Sequence, residues 1–501
     1  MLLEKRIPLL LVLLGSALVS LIAASNDSLW IDEANWAYAA IGKKTDVLSV
    51  NKGLRDWQSP KNWVQFSDPA KPLYGIYLWT WEKAFGHSER VLRLSNLPWF
   101  LLAQTALWIG LRNLPRLRWM VALCMAISPI MWFYLNETSP YIMLLAGACL
   151  VLGLLVRLAT SEAVPERLEG RHFWWLGSGL LLLCGSNAIG IPWAGASLVA
   201  LACLVWGRCK VRWSATVFVP IGITAVGLLL LAEHYNYWRL AKSGMVTGSG
   251  LQNIAFAGYE LLGFSGLGPG RLDLRENRML ALRPFVPGLV VLGVTIGLLF
   301  PVVWKETRRW FAPRWWLSAT SYVSLPLLLM FVAVQQTHFK LLGRHLMPLE
   351  PVVILGLALA LTSLLERRGW SAKILVLGFC LLWLGSSLSL RFAPRHARDD
   401  YRSAAAAANT ALKAGKTVWW CADSCGAGYY KVALAGEPMV PGKAFFAMRL
   451  DPERVPGLPQ PDLVVLSKPD IYDPGGGVQR LLGAGTYRKM YSFPAFTIWE
   501  K

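Results

Sequence analysis

Apolar residues are gathered in long runs that short polar connectors separate. Each run holds roughly 18–22 residues, enough for a helix to cross about 30 Å of hydrocarbon. The pattern predicts a polytopic α-helical membrane protein with about eleven transmembrane helices. Gly185, Gly190 and Pro192 interrupt the stretch 173–206, which is therefore interpreted as two spans. The predicted spans are residues 7–25, 94–111, 119–135, 140–158, 173–187, 189–206, 214–232, 286–304, 317–334, 347–364 and 373–391.

The charges in the connectors predict the orientation in the membrane. Every second connector is short and basic, which assigns it to the cytoplasm. The N-terminus is then cytoplasmic, and the loops 26–93 and 233–285 and the tail 392–501 are periplasmic or extracellular. The first apolar run also resembles a signal peptide, but its length favours an uncleaved anchor. Short connectors and a compact tail are typical of a bacterial inner membrane.

The C-terminal tail has a different pattern, which predicts a small α/β extracytoplasmic domain. An alanine-rich helix is predicted over residues 399–414, and strands over 417–421, 463–467 and 496–500, with Gly/Pro-rich turns between them. The predicted domains are thus a transmembrane domain, 1–391, and the tail domain, 392–501. Cys421 and Cys425 lie in this tail, and an oxidising compartment makes a local disulfide between them an expectation.

Composition agrees with a membrane location and narrows the possible partners. Hydrophobic residues make up 55% of the 501 residues, charged residues only 16%, and mean hydropathy is +0.42. The formal net charge is +20. No basic stripe lies on a soluble domain, so nucleic acid is not an expected partner. Basic connectors account for most of this charge, and basic outer loops could bind a phosphate.

The first outer loop opens with an acidic pair in the segment LWIDEANWAY, residues 29–38. Asp32 and Glu33 follow the first span directly, and apolar residues continue at helical spacing beyond them. A carboxylate at the mouth of a helix bundle, near low dielectric, is suited to act as a general base. The alternative is an acidic pair that the helix dipole stabilises. The residues alone leave both interpretations open.

Four further segments complete an ordered set along the membrane region: DPAKPLY at 68–74, RLSNLP at 93–98, YLNETSPY at 134–141 and GRHLMPLEP at 343–351. Together with residues 29–38, the set resembles the polyprenyl-phosphate-dependent C-type glycosyltransferases. Within that superfamily it is similar to the protein O-mannosyltransferase and lipid A aminoarabinose transferase group. Three departures are a single proline after Lys71, Ser139 where arginine is usual, and His345 where tyrosine is usual.

The resemblance implies an enzyme, a hexosyl- or pentosyltransferase that inverts the sugar configuration. Asp32 would deprotonate the acceptor hydroxyl, and Glu33 would orient Asp32 or bind the acceptor. Lys71 and Arg344 would neutralise the phosphate that leaves when the glycosidic bond breaks. Glu137 would be an acceptor contact or a metal ligand. Other residues expected in the substrate cavity are Tyr74, Tyr141 and His345.

The second long outer loop carries candidates of lower specificity. Its glycine-rich segment, residues 263–270, could bring backbone N–H groups close to a phosphate, with Arg271 and Arg275 beside it. The alternative is a loop with turns only. His234 could join Glu137 as a ligand of a divalent metal, the candidate cofactor.

The expected partners are a polyprenyl-phosphate sugar lipid, such as an undecaprenyl phosphate derivative, membrane lipids, and an acceptor that is a glycan, a lipid or a protein. A transporter or flippase of a lipid-linked saccharide is the alternative function. It predicts ionisable residues at mid-span and paired repeats, whereas here the charged residues gather at the outer span ends. The pattern therefore favours a glycosyltransferase.

Overall fold

The computed structural model describes residues 2–40, 72–160, 167–206, 210–211, 215–241, 251–310, 313–337, 341–367 and 369–501. In chain order the helices are α1 (Leu2–Ala23), α2 (Ile31–Ala40), α3 (Pro72–Phe85), α4 (Glu89–Leu94), α5 (Leu97–Gly110), α6 (Pro115–Ile127), α7 (Pro129–Leu135), α8 (Tyr141–Ala159), α9 (Gly170–Ser186), α10 (Gly190–Val205), α11 (Phe218–Ala241), α12 (Leu251–Leu261), α13 (Arg271–Asn277), α14 (Val286–Trp310), α15 (Pro313–Thr337), α16 (Glu350–Glu366), α17 (Trp370–Phe392), α18 (Tyr401–Lys413), α19 (Ser424–Tyr429), α20 (Pro469–Tyr472) and α21 (Gly477–Gly483).

The strands are short and concentrated near the C-terminus. They are β1 (Arg167–Leu168), β2 (Lys210–Val211), β3 (Val418–Cys421), β4 (Leu434–Ala435), β5 (Ala444–Phe446), β6 (Leu463–Ser467), β7 (Arg488–Phe493) and β8 (Phe496–Glu500). Turns of 3₁₀-helix lie at Ala215–Val217, Arg278–Phe285, Gly343–Leu349, Pro394–His396 and Val455–Gly457.

The chain folds into two compact units. The first, here called the helical unit, consists of Met1–Ala24, Pro69–Tyr74 and Leu94–His396. The second, here called the mixed unit, consists of Ser25–Asp68, Gly75–Arg93 and Ala397–Lys501. The mixed unit therefore joins the C-terminal residues to parts of the predicted first outer loop, a grouping that hydrophobic patterning does not reveal.

Each predicted span of the helical unit coincides with a helix or a bent pair of helices. Within the described residues, five helices are long and apolar enough to cross a membrane, or six if the α6–α7 pair, bent by 54°, is one span. The stretch 173–206 forms two helices, α9 and α10, as the interrupted pattern predicted. The protein is a polytopic helical membrane protein, while the count of eleven crossings stays a prediction.

Helix α8 is the centre of the helical unit. Its most apolar window is 83% buried within the protein, against 28% for α17, which leaves one face of α17 for lipid. Helix α5 packs closely against α8 where two glycines meet. A Cβ on Gly110 would lie 2.6 Å from the Cα of Gly153, so any side chain at this crossing would separate the two helices. Small residues at such crossings are typical of helix packing in membranes.

The mixed unit is built on a six-stranded sheet with the order β4-β5-β3-β6-β8-β7. The first four strands in this order are parallel, whereas β8 and β7 run antiparallel to their neighbours. Alternate residues of β3 enter opposite cores, Trp420 the one that α18 covers and Trp419 the other. Ile31 of α2 packs against both cores. The predicted α/β character of the tail is confirmed.

Candidate active site

Glu33, on the first turn of α2, lies in a buried ion pair. Its side chain and that of Arg93 have no exposed surface. The Nε and Nη2 atoms of Arg93 donate to the two carboxylate oxygens of Glu33 at 2.9 and 2.8 Å. Arg398 contacts the same carboxylate at 3.4 Å. Such a bidentate pair holds both side chains in a single geometry.

Arg93 also donates hydrogen bonds to the segment that precedes α2. Its Nη1 donates to the Oγ of Ser25 at 2.7 Å and to the carbonyl of Asp27 at 2.8 Å, and its Nη2 donates to the carbonyl of Ser28 at 3.0 Å. The amide of Trp30 donates to Glu33 at 3.3 Å. Arginine and backbone donors thus engage both oxygens of the Glu33 carboxylate, while its predicted role, to orient Asp32 or to bind the acceptor, stays a prediction.

Asp32 is half-exposed beside a second carboxylate that sequence analysis missed. Helix α2 packs against α19, and Asp423 caps the N-terminus of α19 by accepting from the amides of Cys425 and Gly426 at 2.8 and 3.3 Å. Burial raises the pKa of Asp423, and the negative charge of Asp32 adds to this rise. Two neighbouring carboxylates disfavour double ionisation, which suits one of them to accept a proton.

A second group of candidate residues lies within the helical unit. Arg271 begins α13, and its guanidinium pairs with Glu260 at 2.5 Å and stacks over the ring of Phe133 at 4.0 Å. The Arg344 guanidinium lies 5.9 Å from the ring centre of Tyr141. Both arginines, together with Glu137 and Glu260, lie within electrostatic range of the Tyr134 hydroxyl. The structure thus brings together two predicted phosphate-binding cations and Glu137.

Asn96 fixes the backbone that carries Glu137. Its side-chain amide donates to the carbonyl of Tyr134 at 3.0 Å and to the carbonyl of Glu137 at 2.6 Å. Residues 136–140 link α7 to α8, so these bonds hold the turn that positions Glu137. Tyr134 and Tyr141 flank the turn with their ring centres 5.1 Å apart. Tyr134 was not predicted, although it begins the quoted segment 134–141.

The glycine-rich segment 263–270 is packed against the end of α17. A Cβ on Gly266 would lie 1.9 Å from the carbonyl oxygen of Ser386, and one on Gly270 would lie 1.8 Å from that of Arg395. The amide of Gly266 already has an acceptor within the protein, since it donates to the Ser386 hydroxyl at 3.1 Å. These glycines permit close packing of the segment, and Arg271 follows it directly as the first residue of α13.

The remaining predicted residues have separate placements. His345 is buried, and its Nδ1 accepts from the amide of Leu342 at 3.1 Å. Tyr74 is buried within the helical unit, while Arg275 is exposed on α13. Lys71 and the side chain of His234 lie outside the described residues. Among the residues that are described, no three His, Cys, Asp or Glu side chains form a group that could hold a metal ion.

Cys421 and Cys425 are free thiols, so the expected disulfide is not present in this structure. Cys421 ends β3 and points into the core opposite α18, where its thiol donates to the carbonyl of Tyr472 at 3.4 Å. Cys425 lies on α19, whose N-terminus Asp423 caps. Burial raises the pKa of both thiols, which keeps them protonated and poorly reactive.

Comparison with known proteins identifies the fold. No protein-family model matches the chain, and no curated protein matches it in sequence. The structure is similar to that of ArnT from Cupriavidus metallidurans in the apo state, with a TM-score of 0.58 and 14% identity. It is also similar to ArnT from the same organism bound to undecaprenyl phosphate, with a TM-score of 0.54 and 13% identity. Each comparison covers 99% of this chain and 98% of the other. The chain therefore has the C-type glycosyltransferase fold that the ordered motifs led us to expect.

Proposed function

We propose that this protein is an inverting glycosyltransferase that moves a sugar from a polyprenyl-phosphate donor to an acceptor at the outer face of the bacterial inner membrane. The observation that carries the proposal is the group of Arg271, Arg344 and Glu137 in the helical unit. Arg271 lies 4.0 Å from the Phe133 ring and Arg344 lies 5.9 Å from the Tyr141 ring, and Asn96 holds the turn between these rings that carries Glu137. The fold adds support, because an ArnT structure with the same fold contains undecaprenyl phosphate.

The two arginines suit a leaving phosphate. As the bond from the sugar C1 to the phosphate oxygen breaks, that oxygen gains negative charge. Fixed cations that already face this position stabilise the transition state more than the ground state. Arg271 keeps 42% of its side-chain surface exposed despite its ion pair. Lys71 is proposed as a further cation on the basis of the motif resemblance.

Asp32 is the proposed general base. It would take the proton of the acceptor hydroxyl while the acceptor oxygen attacks C1 and the polyprenyl phosphate leaves. Glu33 cannot readily share this task, since Arg93 engages both of its carboxylate oxygens. In this proposal the adjacent carboxylates have separate roles, with Asp32 as the proton acceptor and Glu33 as the anchor of α2. Whether a hexosyl or a pentosyl group is moved follows from the donor that the assay identifies.

A transfer assay in detergent tests the proposal. Purified protein is incubated with a panel of radiolabelled polyprenyl-phosphate sugars and lipid, glycan or peptide acceptors. Wild type is compared with Asp32→Asn and with Asp470→Asn, an exposed carboxylate on α20. We expect Asp32→Asn to lose about 10²- to 10⁴-fold in rate, the usual contribution of a general base. Full activity in Asp32→Asn would reject the general-base assignment. Movement of a lipid-linked saccharide across vesicles without transfer would favour the flippase instead.

A further inference from the structure

Glu260 occupies a position that links two cation-bearing segments of the helical unit. It is the penultimate residue of α12, and only 5% of its surface is exposed. One carboxylate oxygen pairs with the Nη2 of Arg271, 11 residues later in the chain, at 2.5 Å. The other accepts from the backbone amide of Gly343, 83 residues later, at 3.0 Å. Gly343 immediately precedes Arg344, so this carboxylate contacts both segments that carry the predicted phosphate-binding arginines.

The backbone at Gly343 is fitted to this carboxylate. A Cβ at this residue would lie 2.3 Å from the Oε2 of Glu260 and 2.9 Å from its Cβ. Any side chain would therefore displace the carboxylate or break its bond to the amide. The requirement for glycine here comes from the close approach of Glu260, and it is independent of the ion pair with Arg271.

A carboxylate beside a phosphate site has an electrostatic cost, because it offsets part of the positive charge that attracts the donor. Its presence therefore needs a compensating benefit. Glu260 engages one nitrogen of Arg271, and the Phe133 ring supports the plane of the guanidinium. Together, the ion pair with Glu260 and the stacking on Phe133 fix the direction in which the remaining N–H groups of Arg271 point. Transition-state stabilisation by fixed donors depends on such preorganisation more than on net charge.

We propose that Glu260 is a positioning residue, which holds Arg271 and the Gly343–Arg344 segment in the geometry that stabilises the leaving phosphate. The inference rests on the proposed function and names a residue to which no motif points. Glu260 acts through the arginines and does not itself touch the phosphate. Its loss is therefore expected to slow the chemical step more than it weakens donor binding.

The central test is Glu260→Gln, which keeps an oxygen for the Gly343 amide but removes the charge that holds Arg271. We expect kcat to fall roughly 10- to 100-fold, the scale on which small misplacements act. Affinity for undecaprenyl phosphate, measured by direct binding, is expected to stay the same or rise, because the site gains net positive charge. The matched control is Glu366→Gln, which breaks the exposed pair with Arg116 and should leave both quantities unchanged.

Two double-mutant cycles separate positioning from general structural damage. If Glu260 acts through Arg271, then Glu260→Gln should have little further effect on kcat in an Arg271→Gln background. Gly343→Ala should lower kcat in wild type through its clash with Glu260, and it should cost much less in a Glu260→Gly background, which removes both the carboxylate and the Cβ that the new methyl group would meet. Additive effects in both cycles would overturn the inference, as would wild-type kcat in Glu260→Gln.

The same measurements distinguish this inference from the proposed function. Wild-type protein that transfers sugar, together with an equally active Glu260→Gln, would overturn the positioning role alone. Wild-type protein that neither transfers a sugar nor binds undecaprenyl phosphate would overturn both. Thermal unfolding of each variant shows whether a lower kcat reflects loss of the folded state.

Discussion

The buried pair of Glu33 and Arg93 predicts that replacing Arg93 by methionine opens the segment that carries Asp32. The five N–H groups of Arg93 reach six acceptor atoms, two on Glu33, two on Ser25 and one each on the carbonyls of Asp27 and Ser28, so one N–H is shared between two acceptors. Methionine fills much of the volume but supplies none of these donors. The Glu33 carboxylate would then be left buried, with Arg398 still at 3.4 Å.

The size of the effect follows from the burial of the pair. Breaking a buried ion pair by removing one partner costs about 3–5 kcal/mol when the remaining charge has no other partner. The contact with Arg398 compensates part of this charge, so we expect a cost at the lower end of that range. Solvent does not screen the charges of this pair, because both side chains are fully buried. The segment from Ser25 to Ala37 belongs to one unit, so the cost should appear as local opening. An opening constant higher by roughly 100- to 5,000-fold corresponds to that range.

Hydrogen exchange followed by mass spectrometry measures this opening. Peptides that cover residues 25–37 are expected to exchange faster in Arg93→Met than in wild type. Arg116→Met is the control, because its pair with Glu366 is 78% and 48% exposed and such pairs contribute less than about 1 kcal/mol. Adding Glu33→Leu to Arg93→Met should restore part of the protection by removing the unpaired charge. Unchanged exchange in Arg93→Met would refute the claim that this pair holds the segment.

Two further predictions concern carboxyl groups of the mixed unit. Asp423→Asn removes the negative charge beside Asp32, so the acid limb of the pH–rate profile should move to lower pH, and an unmoved limb would contradict their coupling. Glu82 is buried, its carboxylate oxygens have no hydrogen-bond partner among the described residues, and burial raises its pKa to about 9. A raised carboxyl pKa destabilises the folded state as pH rises from 4.5 towards 9, by about 3 kcal/mol at pH 7. Glu82→Gln should therefore flatten the fall in melting temperature between pH 5 and pH 8, and a parallel fall in the variant would argue against the assignment.

Local pattern predicted the elements of the fold well, for a physical reason. Apolar runs and their interruptions depend on residues close together in the chain, and a helix in lipid satisfies its backbone within one segment. The break between α9 and α10 and the strands β3, β6 and β8 were recognised in this way. Strands β4, β5 and β7 were not predicted. Two or three residues, as in β4 and β5, carry too little periodicity, and β7 is a mostly exposed strand without the apolar alternation that marks a half-buried one.

The acidic pair on α2 and the two arginines were also found from the sequence, by their types and by the order of the motifs. Their partners were not. Glu33 pairs with Arg93, 60 positions away, and Glu260 contacts Gly343, 83 positions away. Nothing local distinguishes Arg93 from a cation at the membrane interface, or Glu260 from a surface carboxylate. A buried charge is stable only beside its counter-charge. The sequence by itself therefore determined which residues could do chemistry, and the tertiary structure decided which partners, often far away in the chain, hold these residues in place.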